Sequence, residues 1–314
     1  MVINMGKIAF IFPGQGAQYI GMGKEFYDEY QDSKDIYDKA SSLLGIDMAQ
    51  LCFEENDRIN ITEYTQIAMV TTCIAMLTQV KKTGLTPDVC AGLSLGEYAA
   101  MIASGVMSFE EGIQVVRQRG ILMQDAVEPG IGAMAAVLGM DTEVINNVCN
   151  DSEGIVSIAN YNCPGQVVIS GQRKAVEAAC EELKLLGAKK VILLNVSGPF
   201  HSLMLKGAGE KLHEVLKEID IKNPDFPYVA NVNAQYIEKK ENIRELLEQQ
   251  VYSSVKWQQS IENMIASGVD TFIEIGPGKT LSAFVKKIDR TCRVINIEKV
   301  EDLDKLQEVI HAKE

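Results

Sequence analysis

Residues 87–100 read Pro87-Asp88-Val89-Cys90-Ala91-Gly92-Leu93-Ser94-Leu95-Gly96-Glu97-Tyr98-Ala99-Ala100. Residues 89–91 form an apolar, strand-like run, the segment after Gly96 is helix-like, and a Gly-x-Ser-x-Gly pentapeptide joins the two. A chain that leaves a strand and enters a helix within two residues forces the central residue into a strained turn, which the flanking glycines accommodate because they carry no Cβ. Ser94 then projects from the end of the sheet as a candidate nucleophile. The same turn aims the Leu95 backbone N–H, in the first turn of the new helix, at any oxyanion formed on a carbonyl that Ser94 attacks.

Around this turn the sequence alternates strands and helices. Residues 7–12 read as a buried first strand closed by Pro13-Gly14, followed by the Gly-rich loop Pro13-Gly14-Gln15-Gly16-Ala17-Gln18. Helices are expected near 33–44, with Ser33 as cap, and near 63–82, with Thr62 as cap and Gly84 as terminator. A helix near 96–103 follows the serine, and Ser108-Phe109-Glu110-Glu111 opens a longer one that carries Arg117 and Arg119 before Pro129-Gly130. From about 130 to 196 the elements shorten into the order β-α-β-β-α-β, with strands near 133–139, 155–159, 166–170 and 190–195. That order predicts a split-βαβ, ferredoxin-like module. Beyond Pro199 the α/β rhythm resumes, with strands near 228–231, 271–275 and 293–297 and a last helix near 302–312. The expected fold class is α/β: a large α/β-hydrolase-like domain with a parallel sheet, discontinuous over residues 1–128 and 199–314, split by an inserted small ferredoxin-like domain over 129–198.

Composition narrows the function. The chain has 314 residues, 46% of them hydrophobic, and its 30 Lys and Arg against 43 Asp and Glu leave a net charge of −13. Such a surface repels phosphate backbones, which argues against a nucleic-acid partner and requires anionic substrates to be caught locally. Lys189-Lys190 and Lys286-Lys287 with Arg290 are candidates for that task, with solvated lysines at element ends as the alternative. The apolar stretch at residues 8–12 is far shorter than a signal-peptide core or a membrane span, so a cytoplasmic protein without membrane attachment is expected. Seven cysteines with no CxxC pair suit reduced buried thiols and no metal site. The Gln15 loop has Tyr19 where a dinucleotide fingerprint needs its third glycine, and no Walker motif is present.

A serine hydroxyl needs a base of moderate proton affinity, and histidine is the usual one. The chain has three: His201, His213 and His311. His213 falls in a polar helix and His311 in the C-terminal tail, where exposed positions are expected. His201 lies in Ser197-Gly198-Pro199-Phe200-His201-Ser202, where the small module rejoins the large one, a hinge at which clefts form. His201 is therefore the expected base.

Together, Gly14-Gln15-Gly16, Gly92-Leu93-Ser94-Leu95-Gly96-Glu97, Gln118-Arg119-Gly120, Gly198-Pro199-Phe200-His201 and Glu274-Ile275-Gly276-Pro277-Gly278 resemble the motif series of malonyl-CoA:acyl carrier protein transacylases over nearly the whole chain. The resemblance implies transfer of a malonyl group from coenzyme A to the phosphopantetheine thiol of an acyl carrier protein through an ester on Ser94. Malonyl-CoA and acyl carrier protein are then the partners, and coenzyme A arrives as a thioester substrate with no further cofactor. It makes Gln15 an oxyanion-hole contributor beside Leu95, and Arg119 the partner of the malonyl carboxylate. A planar guanidinium fork suits that carboxylate, with a structural ion pair as the alternative for an arginine on an amphipathic helix. No acid stands out as a third triad member, and the resemblance implies that the Lys256 backbone carbonyl orients His201 instead. It also implies that Phe200 obstructs a 2-methyl branch and that Asn160 lines the cleft, the alternatives being a core aromatic and a turn-capping asparagine. Many relatives carry histidine before the nucleophile, where this chain has Leu93. Rival readings are a free-standing acyltransferase of a polyketide assembly line and a serine esterase or thioesterase.

Overall fold

The computed structural model describes residues 6–196 and 198–313. Its strands are β1 (Lys7–Phe12), β2 (Val89–Gly92), β3 (Gly132–Leu138), β4 (Val156–Cys163), β5 (Gln166–Gln172), β6 (Lys190–Leu193), β7 (Tyr228–Val229), β8 (Tyr236–Ile237), β9 (Val269–Ile275) and β10 (Arg293–Ile297). They form two sheets. One has the order β10-β9-β1-β2-β7-β8, parallel except for the terminal β7-β8 pair, and the other has the order β4-β5-β3-β6 and is antiparallel. The protein is thus a mixed α/β structure with a largely parallel sheet and a separate antiparallel one.

The central strands are apolar on both faces because helices cover both. Ile8, Phe10 and Phe12 join one core cluster with Cys90, while Ala9 and Ile11 join the other with Val89 and Ala91. The helix Thr62–Lys82 is buried along nearly its whole length and anchors the first cluster. The antiparallel sheet has its own core, where Ala135, Val137, Ile158 and Ile169 meet the apolar faces of helices Thr142–Asp151 and Arg173–Leu185. Asn160 of β4 bridges to Val255, and the Tyr161 N–H donates to the Val255 carbonyl at 2.9 Å, which stitches this sheet to the segment before helix Trp257–Ala266.

Several expected boundaries shift for local reasons. The helix Gln31–Leu44 starts before Ser33, whose hydroxyl donates to the Ala75 carbonyl at 2.9 Å instead of capping. The next helix begins at Thr62 with Ile61 in the cap position and no side-chain cap. Ser108 and Glu111 do form the expected capping box. Two short helices, Lys24–Glu29 and Met48–Phe53, carried too little periodicity to be read. The final helical segment divides into a 3₁₀ stretch, Val300–Leu306, and a helix, Gln307–Lys313.

Candidate active site

Strand β1 pairs in register with β2 from Ala9↔Val89 to Phe12↔Gly92, so the loop after Phe12 and the turn after Gly92 emerge side by side. The contact is too close for side chains. A Cβ on Gly14 would stand 2.4 Å from the Leu93 carbonyl oxygen, one on Gly92 1.9 Å from the Gly96 carbonyl carbon, and one on Gly96 2.1 Å from the Phe12 carbonyl oxygen. Between these glycines Ser94 is held at φ 52°, in the left-handed region, and helix Gly96–Ala103 begins two residues later. Asn231 locks the turn: its Oδ1 accepts the Ser94 N–H at 2.6 Å and its Nδ2 donates to the Gly92 carbonyl at 2.7 Å.

The Ser94 hydroxyl lies 2.7 Å from His201 Nε2. His201 Nδ1 lies 2.7 Å from the Gln250 carbonyl oxygen, which can only accept, so Nδ1 carries the proton and Nε2 is left to accept from Ser94. This corrects the expectation for Lys256. The Lys256 carbonyl accepts from the Ser260 N–H and hydroxyl, inside the first turn of its own helix, whereas Gln250 sits in the last turn of helix Ile243–Tyr252, where carbonyls have no intrahelical donor. Burial, and next the Arg119 charge, push the imidazole down to about 4, so it stands neutral and ready to take a proton at pH 7.

Arg119 projects from helix Phe109–Gln124 and is buried. Its Nη2 donates to Gln250 Oε1 at 2.9 Å and reaches Ser94 Oγ at 3.4 Å, its guanidinium lies over the Tyr98 ring at 5.3 Å, and its Nε has no hydrogen-bond partner among the described residues. It makes no ion pair among the described residues, in contrast to Arg117, which pairs with Glu63 at 2.7 Å. A buried cation with a vacant donor beside the Ser94 hydroxyl has the chemistry to bind a carboxylate.

A cavity of about 650 Å³ brings the expected residues together, with Gln15, Ser94, Leu95, Arg119, Asn160, Phe200 and His201 all in its wall. The Gln15 side-chain amide donates one of its two N–H groups to Thr62 Oγ1 at 3.2 Å, and its backbone N–H is a further donor at the cavity wall. Neither that N–H nor the Leu95 N–H has an acceptor among the described residues. Leu93 also lines the cavity, and Phe200 is buried next to His201. None of the lysine pairs lines this cavity. Lys286 donates to the Arg290 and Cys292 carbonyls, Lys287 to Gln166 Oε1, and Lys189 and Lys190 are exposed at the start of β6. His213 is half-buried rather than exposed, 2.8 Å from Glu248 Oε2, while His311 is exposed as expected.

Three residues of this site escaped sequence reading: Asn231, Gln250 and Glu97. Glu97 was visible inside the quoted pentapeptide motif's extension, but nothing marked it as buried. Asn231 follows the two-residue strand β7, and Gln250 lies on an amphipathic helix whose composition carries no signal of a site.

A serine held on a strand-to-helix turn, a neutral histidine and an unpaired buried arginine define a serine-based transferase or hydrolase of anionic acyl groups. A family model described as an acyl transferase domain matches residues 9–307, and the chain belongs to that family. Among its relatives, the malonyl CoA-acyl carrier protein transacylase of Bacillus subtilis (strain 168) is 48% identical over 304 residues, 96% of each chain. The crystal structure of malonyl CoA-acyl carrier protein transacylase from Clostridium perfringens Atcc 13124 matches with a TM-score of 0.94 at 47% identity, covering 98% of both chains. A malonyl-transacylase solved in complex with its type II PKS acyl-carrier protein matches with a TM-score of 0.94 at 36% identity, covering 96% of this chain and 99% of that one. No helix among the described residues is long and apolar enough to cross a membrane.

Proposed function

We propose that this chain is an enzyme that transfers the malonyl group of malonyl-CoA to the phosphopantetheine thiol of an acyl carrier protein, supplying malonyl units for fatty acid synthesis. The observation that carries the reading is the buried, unpaired Arg119 placed 3.4 Å from a Ser94 hydroxyl that itself stands 2.7 Å from His201. In the first half-reaction His201 Nε2 takes the Ser94 proton as Oγ attacks the thioester carbonyl. The oxyanion is met by the backbone N–H groups of Leu95 and Gln15. Collapse expels the coenzyme A thiolate, which recovers the proton from His201, and leaves a malonyl ester on Ser94. The carrier thiol then runs the same steps in reverse. Arg119 pairs with the free carboxylate of the malonyl group, the Gln250 carbonyl holds the His201 ring, Phe200 crowds the space a 2-methyl branch would need, and Asn160 completes the wall.

The fold reading behind this is a hydrolase-like domain over 1–128 and 199–314 with a ferredoxin-like insertion over 129–198. The order β4-β5-β3-β6, built from one β-α-β-β-α-β run, supports the inserted unit. Seven unpaired buried cysteines support a reducing compartment, the cytoplasm. Coenzyme A enters as substrate, and no resident cofactor or metal is part of the reading.

Incubation with malonyl-CoA alone should leave a malonyl adduct on the Ser94 peptide, visible by mass spectrometry and absent in Ser94→Ala. Addition of a carrier protein should convert the adduct to malonyl carrier rather than free malonate; release as malonate would make the chain a hydrolase. A second reading, service to a polyketide carrier, is favoured by the relative solved with a type II PKS carrier. Rates with fatty-acid and polyketide carriers side by side separate the two.

A further inference from the structure

Beneath Ser94 the polar groups converge on Glu97, a residue that none of the steps above uses. Glu97 lies in the first turn of helix Gly96–Ala103 and is buried. Its Oε2 accepts from Gln250 Nε2 at 2.7 Å and from the Asn231 N–H at 3.3 Å. Gln250 Nε2 also donates to the Ser94 carbonyl at 2.9 Å, while Gln250 Oε1 accepts from Arg119. A primary amide has one accepting end and one donating end, so between a guanidinium and a carboxylate it fits in one orientation only. Glu97 is thus the counter-charge of Arg119, one amide removed. Other ionisable groups facing it are Tyr98 on its own helix and Tyr228 on β7, and Arg119 is the cation coupled to it among the described residues.

Inserting the malonyl carboxylate next to Arg119 sets two carboxylates against one buried cation. Like charges in a low-dielectric site raise the proton affinity of the group without the direct pairing, which is Glu97. Burial lifts its carboxyl to about 7 even against the bonds from Gln250 and Asn231 and the Arg119 charge, all of which act in the opposite sense. We infer that Glu97 takes up a proton from solution when the malonyl carboxylate pairs with Arg119 and returns it when the malonyl group leaves. The proton sits on Oε1, so Oε2 keeps accepting from Gln250 and Asn231 and the support of Ser94 is unchanged. This inference rests on the reading of Arg119 as the malonyl partner. Acyl transfer itself moves the Ser94 proton to the departing thiolate and leaves the solution balance unaltered wherever the thiol stays protonated.

The test mixes enzyme in excess with malonyl-CoA in weak buffer containing a pH indicator, and counts protons consumed per Ser94 ester found by mass spectrometry. Uptake should be small at pH 6 and approach about one proton per ester near pH 8, because only ionised Glu97 can take one up. Acetyl-CoA, which shares the thiol but brings no carboxylate, should show none. Glu97→Gln should show none per ester formed. An ester that forms at pH 8 with no more uptake than acetyl-CoA gives overturns the inference and leaves the malonyl-transfer reading standing, as does undiminished uptake in Glu97→Gln. Failure to form any Ser94 ester overturns both. The comparison between the two thioesters on unaltered enzyme decides the matter even if the variant does not fold.

Discussion

The Ser94 hydroxyl and the His201 imidazole meet at 2.7 Å across 107 positions of sequence, and both residues hold left-handed backbone, φ 52° and φ 58°. Two strained residues facing each other are sustained by what surrounds them: glycine contacts and Asn231 at Ser94, and at His201 the Gln250 carbonyl and a main-chain bond to Val251 at 3.2 Å. Replacing the base while keeping a hydrogen-bonding side chain, His201→Gln, should lower the rate of Ser94 malonylation by about 10²–10⁴-fold. Single-turnover kinetics with malonyl-CoA measure it, and a loss under tenfold would remove His201 from the role.

Under the proposed function, Arg119 sets which acyl group the site prefers. Removing a buried charge that a ligand pairs with costs about 3–5 kcal/mol, roughly a hundredfold to several thousandfold in kcat/KM for malonyl-CoA. Acetyl-CoA has no carboxylate to lose, so Arg119→Ala should move the malonyl-to-acetyl ratio toward acetyl by that factor. A competition assay with both thioesters reads the ratio directly, and an unchanged ratio would falsify the assignment.

His201 must be neutral to accept a proton, and burial with the Arg119 charge holds its imidazole near 4 rather than at the usual 6.5. The acid limb of kcat/KM for acetyl-CoA should therefore lie below pH 5. Removing the cation in Arg119→Ala lifts one of the two depressing causes, so the limb should move to higher pH. The same shift bears on stability: the unfolded chain binds a proton on this residue near 6.5 that the folded chain refuses until about 4. Folding stability should fall by about 3 kcal/mol from this residue as pH drops through that window. Denaturant unfolding at pH 7 and pH 4.5, for wild type and His201→Gln, isolates the contribution.

The turn at Ser94 tolerates no side chain on its glycines. In Gly96→Ala the new Cβ would meet the Phe12 carbonyl oxygen at 2.1 Å, and backbone on both sides leaves nothing flexible to give way. A cost of at least about 2 kcal/mol is expected, together with loss of Ser94 labelling by a fluorophosphonate. Gly207, in helix Lys206–Lys217, has nothing within 4 Å of its added Cβ, so Gly207→Ala should stabilise by about 0.5–1 kcal/mol. Urea midpoints compare the two.

Much of the α/β alternation was legible because hydrophobic period and turn residues are local properties. The quoted turn disclosed Ser94 and Leu95, and the β-α-β-β-α-β run disclosed the second sheet's strands. His201 was legible only through its place at the return from that run. The expectation for Lys256 shows where such reading stops: two backbone carbonyls in neighbouring segments look alike in sequence, and which one is free depends on where each helix ends.

Sequence alone determined that a serine would stand on a strand-to-helix turn, since the glycine spacing around Ser94 permits little else. Only the tertiary structure decided that Arg119 is an unpaired cation, that Gln250 holds both it and His201, and that Glu97 lies beneath them. The physical reason is that conformation at a turn is set by sterics between adjacent residues, whereas charge state and hydrogen-bond partners are set by burial, which arises only when segments distant in the chain pack together.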